Sequence, residues 1–120
     1  MKKLILILLF ITTPVWGADK WSQKDIVTEI AFQTVNILDY ASTDKILGDY
    51  PTRAIEMNPL LGSHPSRNTL IGATIGIGVA HALVTHYIPA KWRPVWQWGF
   101  ISVKVGAVLN NAHVYVGLQF

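Results

Sequence analysis

The chain has 120 residues, of which 51% are hydrophobic and only 14% charged, with a formal net charge of +3 and no cysteine. That length supports one domain, and the missing cysteines exclude disulfides and thiolate metal sites. Lys2 and Lys3 supply two of the positive charges, so a form lacking them is nearly neutral and has no electrostatic basis for binding nucleic acid.

Those two lysines precede an unbroken apolar run from Leu4 to Ile11, which Thr12, Thr13 and Pro14 interrupt. Val15-Trp16-Gly17 then offers a branched residue followed by a small one for cleavage after Gly17. The pattern predicts a secretory signal peptide over 1–17, since the run falls short of the roughly 20 apolar residues a membrane span needs. A single helical domain over 18–120 is expected to follow in the cell envelope.

Ser22 with Asp25 three positions on is a variant capping box, and no Gly or Pro falls between Asp25 and Leu47. This predicts a helix over 23–47. At about 100° per residue, Ile26, Val27, Ile30, Ile37 and Leu38 share one arc, and Asp25, Thr28, Glu29, Gln33, Asn36, Asp39 and Thr43 the other. Phe32 and Tyr40 intrude on the polar arc. Gly48 and then Pro51 supply a stop.

The connector Glu56-Met57-Asn58-Pro59-Leu60-Leu61-Gly62-Ser63-His64-Pro65-Ser66 concentrates turn chemistry. Asn-Pro and His-Pro pairs favour turns, Gly62 can take positive φ, and Ser66 or Asn68 can cap the next helix. Glu56 is the last acid; Arg67, Lys91, Arg93 and Lys104 follow it with no Asp or Glu. The connector reads as a clasp.

The segment over 68–88 carries no charge apart from its histidines. Its length in helix, roughly 30 Å, matches a bilayer core. Gly72, Gly76 and Ala80 form a small-residue ridge suited to close helix packing. Pro89 ends the helix, and Pro94 suits the first turn of a third helix over 94–115. Trp92, Trp96 and Trp98 cluster beside Lys91 and Arg93, as at a membrane interface. The predicted class is therefore all-α: an amphipathic helix in the periplasm, then an apolar helical hairpin in the inner membrane whose link carries Lys91 and Arg93 to the cytoplasmic side.

Lys104 lies within the third segment and needs a partner or a polar interior. Asp39, Asp44 and Glu56 are the candidates. Ala107 and Asn111 share its face, and Thr74, Gly78, His81 and Thr85 share one face of the second helix. Two arrangements follow. The polar arc of the first helix meets these faces, or that helix lies on the membrane surface with its polar arc wet.

Asp39, Glu56 and His81 are the candidate catalytic residues for acid–base work. The polar cluster expected to hold the fold comprises Asp39, Thr43, Glu56, Asn58, His64, His81, Lys104 and Asn111. The four histidines fit no metal-ligand spacing, and no nucleophile motif or phosphate loop points to a cofactor.

Leu38-Asp39-Tyr40-Ala41-Ser42-Thr43, the connector from Glu56 to Ser66, Ala80-His81, Trp92-Arg93 and Asn110-Asn111 together resemble a family of small envelope proteins of proteobacteria and their phages. Its pattern is D-x-x-x-T followed by E-x-N-P-x-L-G-x-H-P-S. The resemblance implies an envelope location and a shared fold and brings no activity with it. The expected function is a structural or interaction role, with the lipid bilayer and further copies of the chain as partners. A membrane-embedded enzyme using Asp39, Glu56 and His81, and a holin-like pore-forming oligomer, are the alternatives.

Overall fold

A computed structural model describes residues 18–51, 62 and 64–119. The expected signal peptide, and Glu56 and Asn58 of the connector, lie outside the described residues. Three α-helices and one short 3₁₀ turn make up the described chain: α1 (Gln23–Asp49), α2 (Arg67–Tyr87), the turn Ala90–Trp92, and α3 (Arg93–Gln119).

Both halves of the capping box form at the start of α1. The Ser22 hydroxyl accepts from the Asp25 N–H, and the Asp25 carboxylate accepts from the Ser22 N–H, each at 3.0 Å. Gly48 does not stop the helix. It lies inside the last turn, and α1 ends at Tyr50, whose N–H donates to Ile46 O. Gly62 is the described glycine with positive φ, at 79°. Ser66 caps α2 by accepting from the Thr69 N–H. Ile88 is extended, as a residue before proline prefers. α3 continues four residues beyond its expected end, over 116–119, with no Pro to interrupt it.

α1 is the central element. It lies antiparallel to α2, with Trp21 bonded to His86 near one end and Asp44 to Arg67 at the other. It lies parallel to α3, from Asp25 beside Arg93 to Asp49 beside Tyr115. α2 and α3 touch mainly near the turn that joins them, where Trp96 and Arg93 reach Thr85.

The polarity of the bundle is inverted. Among the described residues, Phe32, Ile46, Leu70 and Ile101 are the buried hydrophobic side chains, against eight buried polar ones: Asp25, Thr28, Glu29, Asn36, His81, Thr85, Arg93 and Gln97. The apolar arc of α1 faces outward, and its polar arc packs on the hairpin. Of the two arrangements open in the sequence, the first is the one formed.

The Gly72 and Gly76 ridge packs against nothing among the described residues; a Cβ on either would meet open space. The close approach falls at Gly78 instead, where a Cβ would lie 2.6 Å from Gln33 Oε1. That amide is pinned by donating to Glu29 and to Gly78 O. Gly78→Ala is therefore expected to lower stability by about 1 kcal/mol or more through overpacking. Gly72→Ala and Gly76→Ala are expected to be neutral or to raise it by up to about 1 kcal/mol. Thermal unfolding of the three variants, followed by circular dichroism, separates the two groups.

Candidate functional site

A seam of hydrogen-bonded polar side chains runs the length of the bundle between α1 and the hairpin. At the turn end it is organised by Arg93, which is fully buried. Its Nε donates to Thr85 O, one terminal nitrogen to Lys20 O and Asp25 Oδ2, and the other to Asp19 O and His86 O, at 2.7–3.1 Å. All five guanidinium N–H groups thus have acceptors. Two of these are last-turn carbonyls of α2, which the helix leaves unpaired, so one side chain caps α2, pairs Asp25 and fastens the segment before α1. Asp19 adds a second tie by accepting from the Ala90 N–H at 2.7 Å.

One turn further along α1, the Glu29 carboxylate is 6% exposed. Oε1 lies 2.8 Å from His81 Nδ1 and accepts from Gln33 Nε2; Oε2 accepts from Thr85 Oγ1 and Gln97 Nε2. An ionised Glu29 fixes the Nδ1–H tautomer of His81 and leaves Nε2 bare. The imidazole is sandwiched between Phe32, at 3.6 Å between ring centres, and Trp96, at 5.1 Å. Its Nε2 is buried with no hydrogen-bond partner among the described residues. The Trp96 N–H donates to Thr85 Oγ1, so this tryptophan belongs to the seam, whereas Trp92 and Trp98 are 55% and 52% exposed.

Past Asn36, which donates to Thr74 O, a third cluster closes the seam. Lys104 Nζ is 2.7 Å from Asp39 Oδ2. Asn111 Nδ2 lies within 3.4 Å of Asp39 Oδ1, 2.8 Å of Ser42 Oγ and 3.0 Å of Thr43 Oγ1. Of the acids the sequence offered for Lys104, Asp39 holds it and Asp44 pairs with Arg67. A charge swap tests this: Lys104→Glu is expected to lose folded protein, and adding Asp39→Lys to recover part of it. Recovery with Asp44→Lys instead would overturn the pairing.

Asp39, Thr43, Lys104 and Asn111 therefore come together, and His81 does not join them. Asp39 lies ten positions along α1 from Glu29, roughly 15 Å of helix, so Asp39 and His81, offered together as catalytic candidates, lie apart. The carboxylate at His81 is Glu29. His64 is exposed and outside the seam. Among the described residues, no group of three His, Cys, Asp or Glu side chains could hold a metal ion.

The sequence offered Asp25 as a cap, Glu29 as a polar-arc residue and Arg93 as a link charge, none of them as a site residue, and Gln97 not at all. A usable signal was present. Arg93, Gln97, Lys104 and Asn111 recur at intervals of four and seven, a polar ridge along α3. It matches the ridges already noted on α1 and α2.

Compared with protein-family models, with curated proteins and with solved structures, the chain matches none.

Proposed function

We propose that the chain is an integral membrane protein of the cell envelope, most simply the inner membrane, whose three helices cross the bilayer as one unit. Its role on this reading is structural or interactive: a rigid module whose outer surface meets lipid and other proteins. The inverted polarity carries the reading. Ile26, Val27, Ile30, Ile37 and Leu38 of α1 are 47–59% exposed, while Asp25, Glu29 and Asn36 on the same helix are 7%, 6% and 2% exposed. Ionisable groups in membrane helices face the bundle interior in this way, because lipid solvates apolar side chains and penalises bare charge. α2 is long and apolar enough to span by itself, and only 22% of its most apolar window is buried, unlike the core helix of a protein in water. Recovery of the full chain in an alkali-washed membrane pellet is the expected result. Recovery in the soluble fraction would sink the reading.

The membrane reading carries a different topology from the one expected in the sequence. α1 lies along both hairpin helices, and on this reading it crosses the bilayer with them instead of lying on the periplasmic surface. The start of α1 and the α2–α3 turn then lie on one side. A signal peptide ending at Gly17 carries that side outward. Arg93, counted in the sequence as a cytoplasmic link charge, has all its donors engaged within the fold. Reporter fusions are expected to find the turn outside and the C terminus inside; the reverse pattern would invert the topology.

A second reading, acid–base catalysis within the bundle, draws on the Glu29–His81 pair and the unpartnered His81 Nε2. A Glu29→Gln, His81→Gln variant with an unchanged cellular phenotype at matched protein levels would eliminate it.

A further inference from the structure

The two ends of the bundle treat their cations differently. At the end away from the turn, Lys45 pairs with Asp49 and Arg67 with Asp44, each at 3.2 Å. At the turn end, Lys20, Lys24 and Lys91 are exposed, and none has an ion-pair partner among the described residues. The fold itself creates this surplus. Arg93 fastens the carbonyls of Asp19 and Lys20, and Asp19 accepts from the Ala90 N–H, which sets Lys20 beside the turn that carries Lys91. The acids next along α1 face inward: Asp25 is buried against Arg93, and Glu29 against His81. Among the described residues, the outer surface of this end is left with three ammonium groups against the carboxylate of Asp19.

An apolar strip leads away from these charges. Trp92, Val95 and Trp98 follow at three-residue intervals from the turn onto α3 and are 55%, 67% and 52% exposed. Lys91 Nζ stands 5.8 Å from the centre of the Trp92 ring, so the charges and the strip adjoin. In helix the strip spans roughly 9 Å along the axis. A free phosphate ion would meet the lysines alone and leave the strip uncovered. A phospholipid with an anionic headgroup answers both parts. Its phosphate faces the ammonium groups, its ester layer suits a tryptophan that is apolar in the ring and polar at the N–H, and its acyl chain covers the rest of the strip.

We propose that the turn end of the bundle binds anionic phospholipid, with Lys20, Lys24 and Lys91 drawing the headgroup and the first stretch of an acyl chain lying against Trp92, Val95 and Trp98. The inference rests on the membrane reading and names the lipid which that reading leaves open. It also makes the two leaflets unequal. Anionic lipid gathers at the turn side, where the lysines are unpaired, and not at the other, where Lys45 and Arg67 already have carboxylates.

Native mass spectrometry of the full-length chain, released from micelles holding equal amounts of phosphatidylglycerol and phosphatidylcholine, reads the preference. Phosphatidylglycerol adducts are expected to exceed phosphatidylcholine adducts by about fivefold or more, the effect of a single lysine beside an anionic surface. Combining Lys20→Gln, Lys24→Gln and Lys91→Gln is expected to bring the two adducts close to parity. Combining Lys45→Gln and Arg67→Gln is expected to leave the preference as it was. Trp92→Ala with Trp98→Ala is expected to lower retention of both lipids. These side chains are all exposed, so each variant is expected to keep the helical circular dichroism of the parent. Equal adducts from the parent, or a preference that survives loss of the three lysines, overturns the proposal. Displacement of phosphatidylglycerol by millimolar inorganic phosphate would make this a free-phosphate site and overturns the lipid. Chain recovered in the soluble fraction of cells sinks the membrane reading, whereas equal adducts on chain recovered in the membrane sink the headgroup preference alone.

Discussion

Arg93→Ala is expected to destabilise the bundle by about 3–5 kcal/mol, the cost of removing one partner from a buried ion pair. The substitution strands Asp25, which is 7% exposed. It also removes the donors that satisfy Thr85 O and His86 O at the end of α2 and the carbonyls of Asp19 and Lys20 ahead of α1. Unfolding in mixed detergent micelles, followed by circular dichroism, measures it. Arg93→Lys is expected to recover little, because a single ammonium cannot reach acceptors arranged around a planar fork. Adding Asp25→Asn to Arg93→Ala should return part of the loss by removing the stranded charge. A lysine variant as stable as the parent would show that only the charge matters at this position.

Glu29→Ala is expected to cost about 2–3 kcal/mol, since it removes charge-assisted hydrogen bonds inside the core. The loss falls unevenly. Gln33 keeps Gly78 O, Gln97 keeps Asp25 O and Thr85 keeps His81 O as acceptors, whereas His81 Nδ1 has no other. The effect should therefore be coupled chiefly to His81. A double-mutant cycle of Glu29→Ala with His81→Ala is expected to show an interaction energy above about 1 kcal/mol, as for residues in one hydrogen-bond network. Additive energies would mean that the imidazole is held by stacking on Phe32 and Trp96 rather than by the carboxylate.

Both variants probe a seam that local sequence described only in part. Its components on α1 and α2 were legible because helical spacing alone places Asp25, Glu29, Asn36 and Asp39 on one arc, and Thr74, His81 and Thr85 on one face. The pairing between them was not. Glu56 drew attention as the last acid in the chain, yet the acid that reaches Lys104 is Asp39, and the acid that reaches His81 is Glu29. Choosing among acids on one helix requires the axial offset of its neighbours. That offset is set by Gly78 admitting Gln33 and by Arg93 fastening the turn end. Neither residue announces this role: a mid-helix glycine and a link arginine each have commoner explanations. The Gly72 and Gly76 ridge shows the converse, a clear pattern that the folded chain leaves facing outward.

By itself, the sequence determined the all-α class, the approximate bounds of the three helices and the cap residue Ser22, and narrowed the cap of α2 to Ser66 or Asn68, because these depend on nearest neighbours and on a 3.6-residue period. It also determined that the apolar and polar arcs of α1 would face different surroundings. Only the tertiary structure decided which arc faces inward. Amphipathic spacing is symmetric on that question: the same stripe suits an apolar core in water or a lipid-facing surface around a polar core. The choice falls to the partners. A hairpin that brings Arg93, Gln97, Lys104, Asn111 and His81 to one side offers hydrogen bonds to the acidic arc of α1, and each buried acid there is satisfied only when those residues, distant in sequence, meet it.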